Sequence, residues 1–149
     1  MAMNILFVCH GNICRSPMAE FVMKHEAEKA GRADDFYVES AAVSSEEIGN
    51  PVYPPARRLL SAHGIDSSGK TARRIRPEDY EKFDLIIGMD NSNMVRLRRF
   101  FPSDPARKIV RLLDLTDMPG EVDDPWYSGD FEQTYREVLA GVRALLEQY

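Results

Sequence analysis

Cysteine is scarce here: two residues in a chain of 149. Both fall in one short stretch, at positions 9 and 14, which excludes the spread of paired cysteines that a disulfide framework needs. Only three histidines are present, and Cys9-x4-Cys14 has no second cysteine pair, so the ligand count of a zinc site is not met. No apolar run approaches the roughly 18 residues of a membrane-spanning helix, and nothing ahead of residue 3 reads as a secretory leader. The expected compartment is the cytoplasm, with no membrane partner. Positive charge is also in deficit. A formal net charge of -5 and a pI near 5.2 argue against a nucleic-acid footprint. The clusters Arg73-Arg74-Arg76 and Arg96-Arg98-Arg99 read instead as solvated helix faces, the alternative being a rim that attracts acidic phosphopeptides. Linkers, repeats and low-complexity segments are missing too, and 44% hydrophobic residues suffice for one ordinary core. The reading is a single domain over residues 1–149.

What the chain does carry is concentrated near its start, in Met3-Asn4-Ile5-Leu6-Phe7-Val8-Cys9-His10-Gly11-Asn12-Ile13-Cys14-Arg15-Ser16-Pro17. Residues 5–8 are an apolar run too short for an isolated helix, and they fit a strand buried on both faces. Gly11 and Asn12 tolerate left-handed backbone, so the chain can turn sharply there. Ser16 reads as a helix cap and Pro17 as the first helical residue. A tight loop between strand and helix aims backbone N–H groups at one point near a helix N-terminus, a site for phosphate or another oxyanion. Cys9 opens this loop and Arg15 closes it. Amides and a guanidinium favour the thiolate, the nucleophilic form of cysteine, and the Arg15 fork can hold two oxygens of one phosphate. That pairing points to transfer of a phosphoryl group to sulfur, a reaction that requires no metal or other cofactor.

Three further apolar runs, at residues 36–43, 83–89 and 108–112, read as strands. Between them lie helical patterns. Met18, Phe21, Val22 and His25 share one face, with His25 a packed or half-exposed helix residue, and Gly31 is the expected end. Pro54-Pro55 opens a helix that ends at His63 and Gly64. Pro77 starts a short one, and Asp90 caps another with Met94, Leu97 and Phe101 inward. Residues 44–51 and 119–129 are loops by composition. The clearest helix is the last, where Phe131, Tyr135, Val138, Leu139, Val142, Leu145, Leu146 and Tyr149 keep one stripe. Alternating strands and helices predict a three-layer α/β fold of the flavodoxin or Rossmann kind. Its core is a four-stranded parallel sheet with helices on both faces, and its ligand site lies beyond the carboxyl ends of the strands.

Cys9-x5-Arg15-Ser16 near the start, taken with Asp124-Pro125-Trp126-Tyr127 near the other end, resembles the low-molecular-weight protein tyrosine phosphatases over nearly the whole chain. The resemblance implies hydrolysis of protein phosphotyrosine through a phosphocysteine intermediate. Cys9 is then the nucleophile, Arg15 the phosphate ligand, and Asp124, in preference to Asp123, the acid that protonates the leaving phenolate. Pro125 biases Asp124 toward extended backbone, which presents the carboxylate outward. His10, Gly11, Asn12, Ile13 and Cys14 complete the binding loop. Ser16 has a second possible task, stabilising the Cys9 sulfur, and the resemblance joins Asn12, Ser40 and His63 in a hydrogen-bond network behind the loop.

Trp126 and Tyr127 either line a slot deep enough for a phosphotyrosine ring or merely pack their own loop. His10 stands where relatives often have an apolar residue. Glu46 stands where many place an aromatic at the rim, and its charge is expected to weaken acidic phosphopeptides. Cys14 is either a small packing residue or the partner of Cys9 in a reversible disulfide. Relatives that hydrolyse phosphoarginine carry Thr where this chain has Ile13, which suits a phenyl ring better. Arsenate reductases with the same loop relay oxidation to later cysteines, and none follows Cys14. A non-catalytic phosphate-binding module would need neither thiol nor acid. The implied partner is a phosphotyrosine protein, and bacterial relatives often act on tyrosine kinases.

Overall fold

Residues 5–8 have no exposed surface on either side of the strand they form, as the apolar run requires. In the computed structural model, which describes residues 2–149, that strand is β1 (Met3–Cys9). It is flanked by β2 (Phe36–Ala42) on one side and β3 (Leu85–Gly88) on the other, and β4 (Ile109–Arg111) closes the far edge. All three pairings are parallel, in the order β2-β1-β3-β4. The expected four-stranded parallel sheet is therefore present, with β1 at its centre.

Because side chains alternate along a strand, β1 feeds two cores. Ile5, Phe7 and Cys9 join one apolar cluster, under α1 (Arg15–Lys29), α2 (Pro54–Ala62) and α6 (Phe131–Gln148). Leu6 and Val8 join the other, with Phe83, Met94, Leu97 and Phe101. These lie on and around α3 (Asp79–Lys82) and α4 (Asn91–Phe100). Truncating a fully buried phenylalanine such as Phe7 to alanine costs about 3–5 kcal/mol in such a setting. The α6 stripe is buried at Val138, Val142 and Leu145, whereas Tyr149 lies past the helix end and is half exposed. Gly141 lets α6 close on the 3-10 turn at Leu112–Leu115: a Cβ there would lie 2.4 Å from Leu112 Cγ.

Several local expectations need correction. Helix α1 begins at Arg15, and its N-cap is Cys14. Ser16 caps nothing because its hydroxyl turns back into the preceding loop. The loop at 119–129 contains a one-turn helix, α5 (Pro125–Ser128), with Asp124 as its N-cap. Arg73 is no solvated helix residue: its guanidinium is largely covered and pairs with Asp79 and Glu39. Asp90 does cap α4, in a reciprocal capping box with Asn93, and Arg98 and Arg99 lie exposed on that helix.

Candidate active site

The chain leaves the carboxyl end of β1 at Cys9 and must reach the first turn of α1 six residues later. One residue absorbs the reversal. Asn12 adopts φ 60°, a left-handed conformation that costs an ordinary residue about 1–2 kcal/mol. Asn12 is almost wholly buried, and every polar group of its side chain is used. Its amide nitrogen donates to Ser16 Oγ at 2.8 Å and to Ser40 Oγ at 2.9 Å, and its Oδ1 accepts from the backbone N–H of Arg73 at 3.1 Å. Gly11 does not share the left-handed turn. Its place is close to a neighbour instead: a Cβ there would sit 3.2 Å from Glu47 Cγ, which would have to shift slightly.

The loop is wrapped around the sulfur of Cys9. Ser16 Oγ lies 3.0 Å from Cys9 Sγ, and the backbone N–H of Asn12 donates to the same sulfur at 3.3 Å. The backbone N–H groups of Gly11, Ile13, Cys14 and Arg15 find no acceptor among the described residues. Together these amides form a cup of donors at the start of α1, of the kind that binds anions.

Arg15 reaches across this cup although its own helix is buried. Its Nη1 donates to Asp90 Oδ2 at 2.8 Å and to the carbonyl of Val122 at 3.1 Å, and its Nη2 faces Asp124 Oδ2 at 3.3 Å. Burial works against the charge, but Cys9, Asp124 and Asp90 outweigh it and hold the Arg15 pKa above its ordinary value. Cys14 behaves in the opposite way. Burial first, then the negative groups at Cys9 and Asp124, push its thiol up to about 12, so it stays protonated. Both cysteines are free thiols.

These groups line one cleft of about 440 Å³. Cys9, His10, Gly11, Ile13, Cys14 and Arg15 form its floor, and Asp124, Trp126 and Tyr127 come to it from the far end of the chain. Asp124 has the extended backbone expected before a proline, φ -91° and ψ 106°, and one carboxylate oxygen accepts from the N–H of Trp126. Asp123 is occupied elsewhere, accepting from the Ser128 hydroxyl. Trp126 and Tyr127 are exposed rather than packed into the core, 54% and 86% accessible, which excludes core packing as their role. Trp126 leans on Tyr53, ring centroids 5.0 Å apart. His10 Nε2 lies 2.9 Å from Glu46 Oε2 at the mouth.

His63 is the site residue that the fold does not bring in. It caps the far end of α2, is exposed, and stacks on Tyr135 at 4.1 Å, with no contact to Asn12 or Ser40. The place behind Ser40 is filled by Glu20 and Lys70 instead. Sequence reasoning also missed Asp90, seen only as a helix cap, Tyr53, which gave no signal, and Arg96, read only as part of a solvated helix face. Arg96 lines the cleft from α4. Glu20 was legible in principle, as an acid four residues before Lys24 on the buried side of a helix.

Comparison with known proteins comes to the same place. Residues 4–149 match the family model described as low molecular weight phosphotyrosine protein phosphatase. The chain is 37% identical to the low molecular weight protein-tyrosine-phosphatase YfkJ of Bacillus subtilis, over 96% of this chain and 93% of that one. Against the human low molecular weight phosphotyrosine protein phosphatase it is 38% identical, over 97% and 94%. The crystal structure of YfkJ superposes with a TM-score of 0.95, covering 99% of this chain and 94% of that one at 36% identity. The Drosophila arginine phosphatase structure does so with a TM-score of 0.90, covering 99% and 98% at 33% identity.

Proposed function

The chain belongs to the low molecular weight phosphotyrosine protein phosphatase family, and from that premise we propose the roles of its residues in hydrolysing phosphotyrosine. The observation that carries the reading is the 3.3 Å approach of Asp124 to Arg15. It joins a carboxylate from late in the chain to the cleft that holds Cys9. The phosphate sits in the amide cup with Arg15 as its charged ligand. The Arg15–Asp124 contact is the longest of the three Arg15 bonds and the one a phosphate dianion displaces, while Asp90 keeps Nη1 in place. Cys9 sulfur attacks phosphorus, the phosphorus–oxygen bond to the ring breaks, and the departing oxygen takes a proton from Asp124. Water then attacks the phosphocysteine, giving its proton to Asp124 as the electron pair of the S–P bond returns to Cys9. The loop donors are fixed before either step, which is where most of the stabilisation of developing charge arises. Ser16 steadies the sulfur as it leaves.

The substrate is a phosphotyrosine protein, with a tyrosine kinase as one candidate, acted on in the cytoplasm. No helix among the described residues is long and apolar enough to cross a membrane. Ile13 and Trp126, the latter backed by Tyr53, give the cleft an apolar wall that favours an aryl group over a phosphoguanidinium, although the likeness to the arginine phosphatase structure makes that comparison worth running. Rapid acid quench during turnover of an aryl phosphate, without added metal, is expected to yield protein heavier by one phosphoryl group on Cys9. The same enzyme should hydrolyse phosphotyrosine faster than phosphoarginine. Hydrolysis that persists unchanged in Cys9→Ser would exclude the proposal.

A further inference from the structure

The charged side chains that line the cleft are nearly all engaged by the protein itself. Arg15 is held by Asp90 and Asp124, and those two carboxylates are spent on it. His10 pairs with Glu46, and Glu47 accepts from the neutral amide of Asn50 at 2.6 Å. Arg96 differs from all of these. It lines the cleft from α4, is exposed, and has no hydrogen-bond or ion-pair partner among the described residues. Ser92 also lines the cleft and lies four residues earlier, so the two side chains share one face of the helix, a turn apart. The phosphate already has its guanidinium in Arg15, which leaves this second one for something else.

The opposite rim has the other sign. The loop that carries Glu46 and Glu47 leaves the carboxyl end of β2, whereas α4 follows the carboxyl end of β3. In the order β2-β1-β3-β4 those two ends flank that of β1, where Cys9 lies. A substrate seated over Cys9 therefore has negative charge on one side and positive charge on the other. His10 offsets part of the Glu46 charge, but the hydrogen-bond partner of Glu47 is neutral.

We propose that Arg96 receives a carboxylate side chain flanking the phosphotyrosine, while Glu46 and Glu47 receive a basic residue from its other flank. The cleft then reads the order of charge along the peptide rather than its sum. This rests on the phosphotyrosine reading and adds a direction to it. A guanidinium fork suits the two oxygens of a carboxylate. Both rims are open to solvent, so each pairing contributes a small factor. The net charge of -5 acts on a peptide through its total charge and does not tell two orders of the same residues apart.

The test compares two peptides of identical composition with blocked ends, Glu-Glu-phosphotyrosine-Lys-Lys and Lys-Lys-phosphotyrosine-Glu-Glu. At low ionic strength wild type is expected to favour one order over its reverse by roughly tenfold in kcat/KM, the ratio falling toward one in about 1 M salt. Arg96→Gln should cut the ratio about threefold and Arg96→Glu should cut it further. The double variant Glu46→Gln/Glu47→Gln should lower it by a similar factor from the other side. Each enzyme is scored by the ratio of its own two rates, so a change in basal turnover cancels. Equal kcat/KM for the two orders in wild type, or a ratio that both Arg96 variants leave unchanged, would overturn the proposal and return Arg96 to a solvated helix face. Wild type that hydrolyses neither peptide nor a plain aryl phosphate would instead remove the phosphotyrosine reading, and this inference with it.

Discussion

Two segments meet over the cleft, and they are built on opposite principles. The loop at residues 9–15 is buried at Cys9, Asn12, Cys14 and Arg15, its one strained residue is held by three hydrogen bonds, and its only arginine is clamped by two aspartates and a carbonyl. The segment at residues 123–130 carries the acid but stands in solvent, with a single-turn helix and two exposed aromatic rings. Stabilising developing charge demands donors that do not reorganise, and burial supplies that. Admitting a bulky phosphoprotein and releasing its product demands an open wall, and exposure supplies that. The chemistry is assigned to the floor and the selection of substrate to the wall.

The sharpest way to break this division is at the one wall residue given a chemical task. Asp124→Ala is expected to lower kcat on phosphotyrosine about 10²–10⁴-fold. The loss should be much smaller on an aryl phosphate whose leaving group needs no proton. Equal losses on both would remove Asp124 from the role of acid. Trp126→Ala should then raise KM for a phosphotyrosine peptide several-fold, a loss on the order of 1 kcal/mol of ring contact, while kcat stays within about twofold of wild type. A kcat loss as large as that of Asp124→Ala would mean that the ring positions the acid rather than the substrate.

Charge at the rim gives a smaller effect. Glu46 is two-thirds exposed, so its field is screened, and Glu46→Gln should improve kcat/KM on acidic phosphopeptides only a few-fold, less at high salt. An unchanged ratio between acidic and basic peptides would remove Glu46 from selection.

The smallest expected change lies away from the cleft. Burial opposes the charge of Glu39, but Lys82, Tyr37 and Arg73 overcome it and hold the carboxyl at about 2, below its ordinary 4.5. A carboxylate whose folded value is depressed contributes stability above the unfolded value, and that contribution is lost as pH falls from 4.5 through about 2. Urea midpoints measured against pH should fall in this window for wild type and fall less steeply for Glu39→Gln, with activity near neutral pH unaltered. Identical curves would show that the Glu39 pairs add nothing to folding. Their exposure keeps the contribution modest.

The first strand, its loop and the last helix were readable because each is encoded by neighbours in sequence: an apolar run, a Cys-x5-Arg, an amphipathic stripe. Asp124 was readable through Pro125 and the aromatic pair. Residues defined by what lies across the fold were not. His63 and Lys70 are both basic and lie in one short stretch, His63 before Gly69 and Lys70 directly after it, and nothing in their local pattern tells which one turns inward toward Ser40. Ser16 looked like a cap because serine before proline usually is one. The buried sulfur and the Asn12 amide offered its hydroxyl better partners than the helix did.

The sequence by itself determined the class of sheet, the position of the anion cup and which residues are proposed as nucleophile, fork and acid, because period, turn chemistry and residue type act over a few positions. Only the tertiary structure decided how Asp90 and Asp124 share Arg15, that Lys70 rather than His63 stands behind Ser40, and which way each hydroxyl points. Those depend on distances between segments tens of residues apart, and packing of the whole sheet fixes such distances only once it is complete.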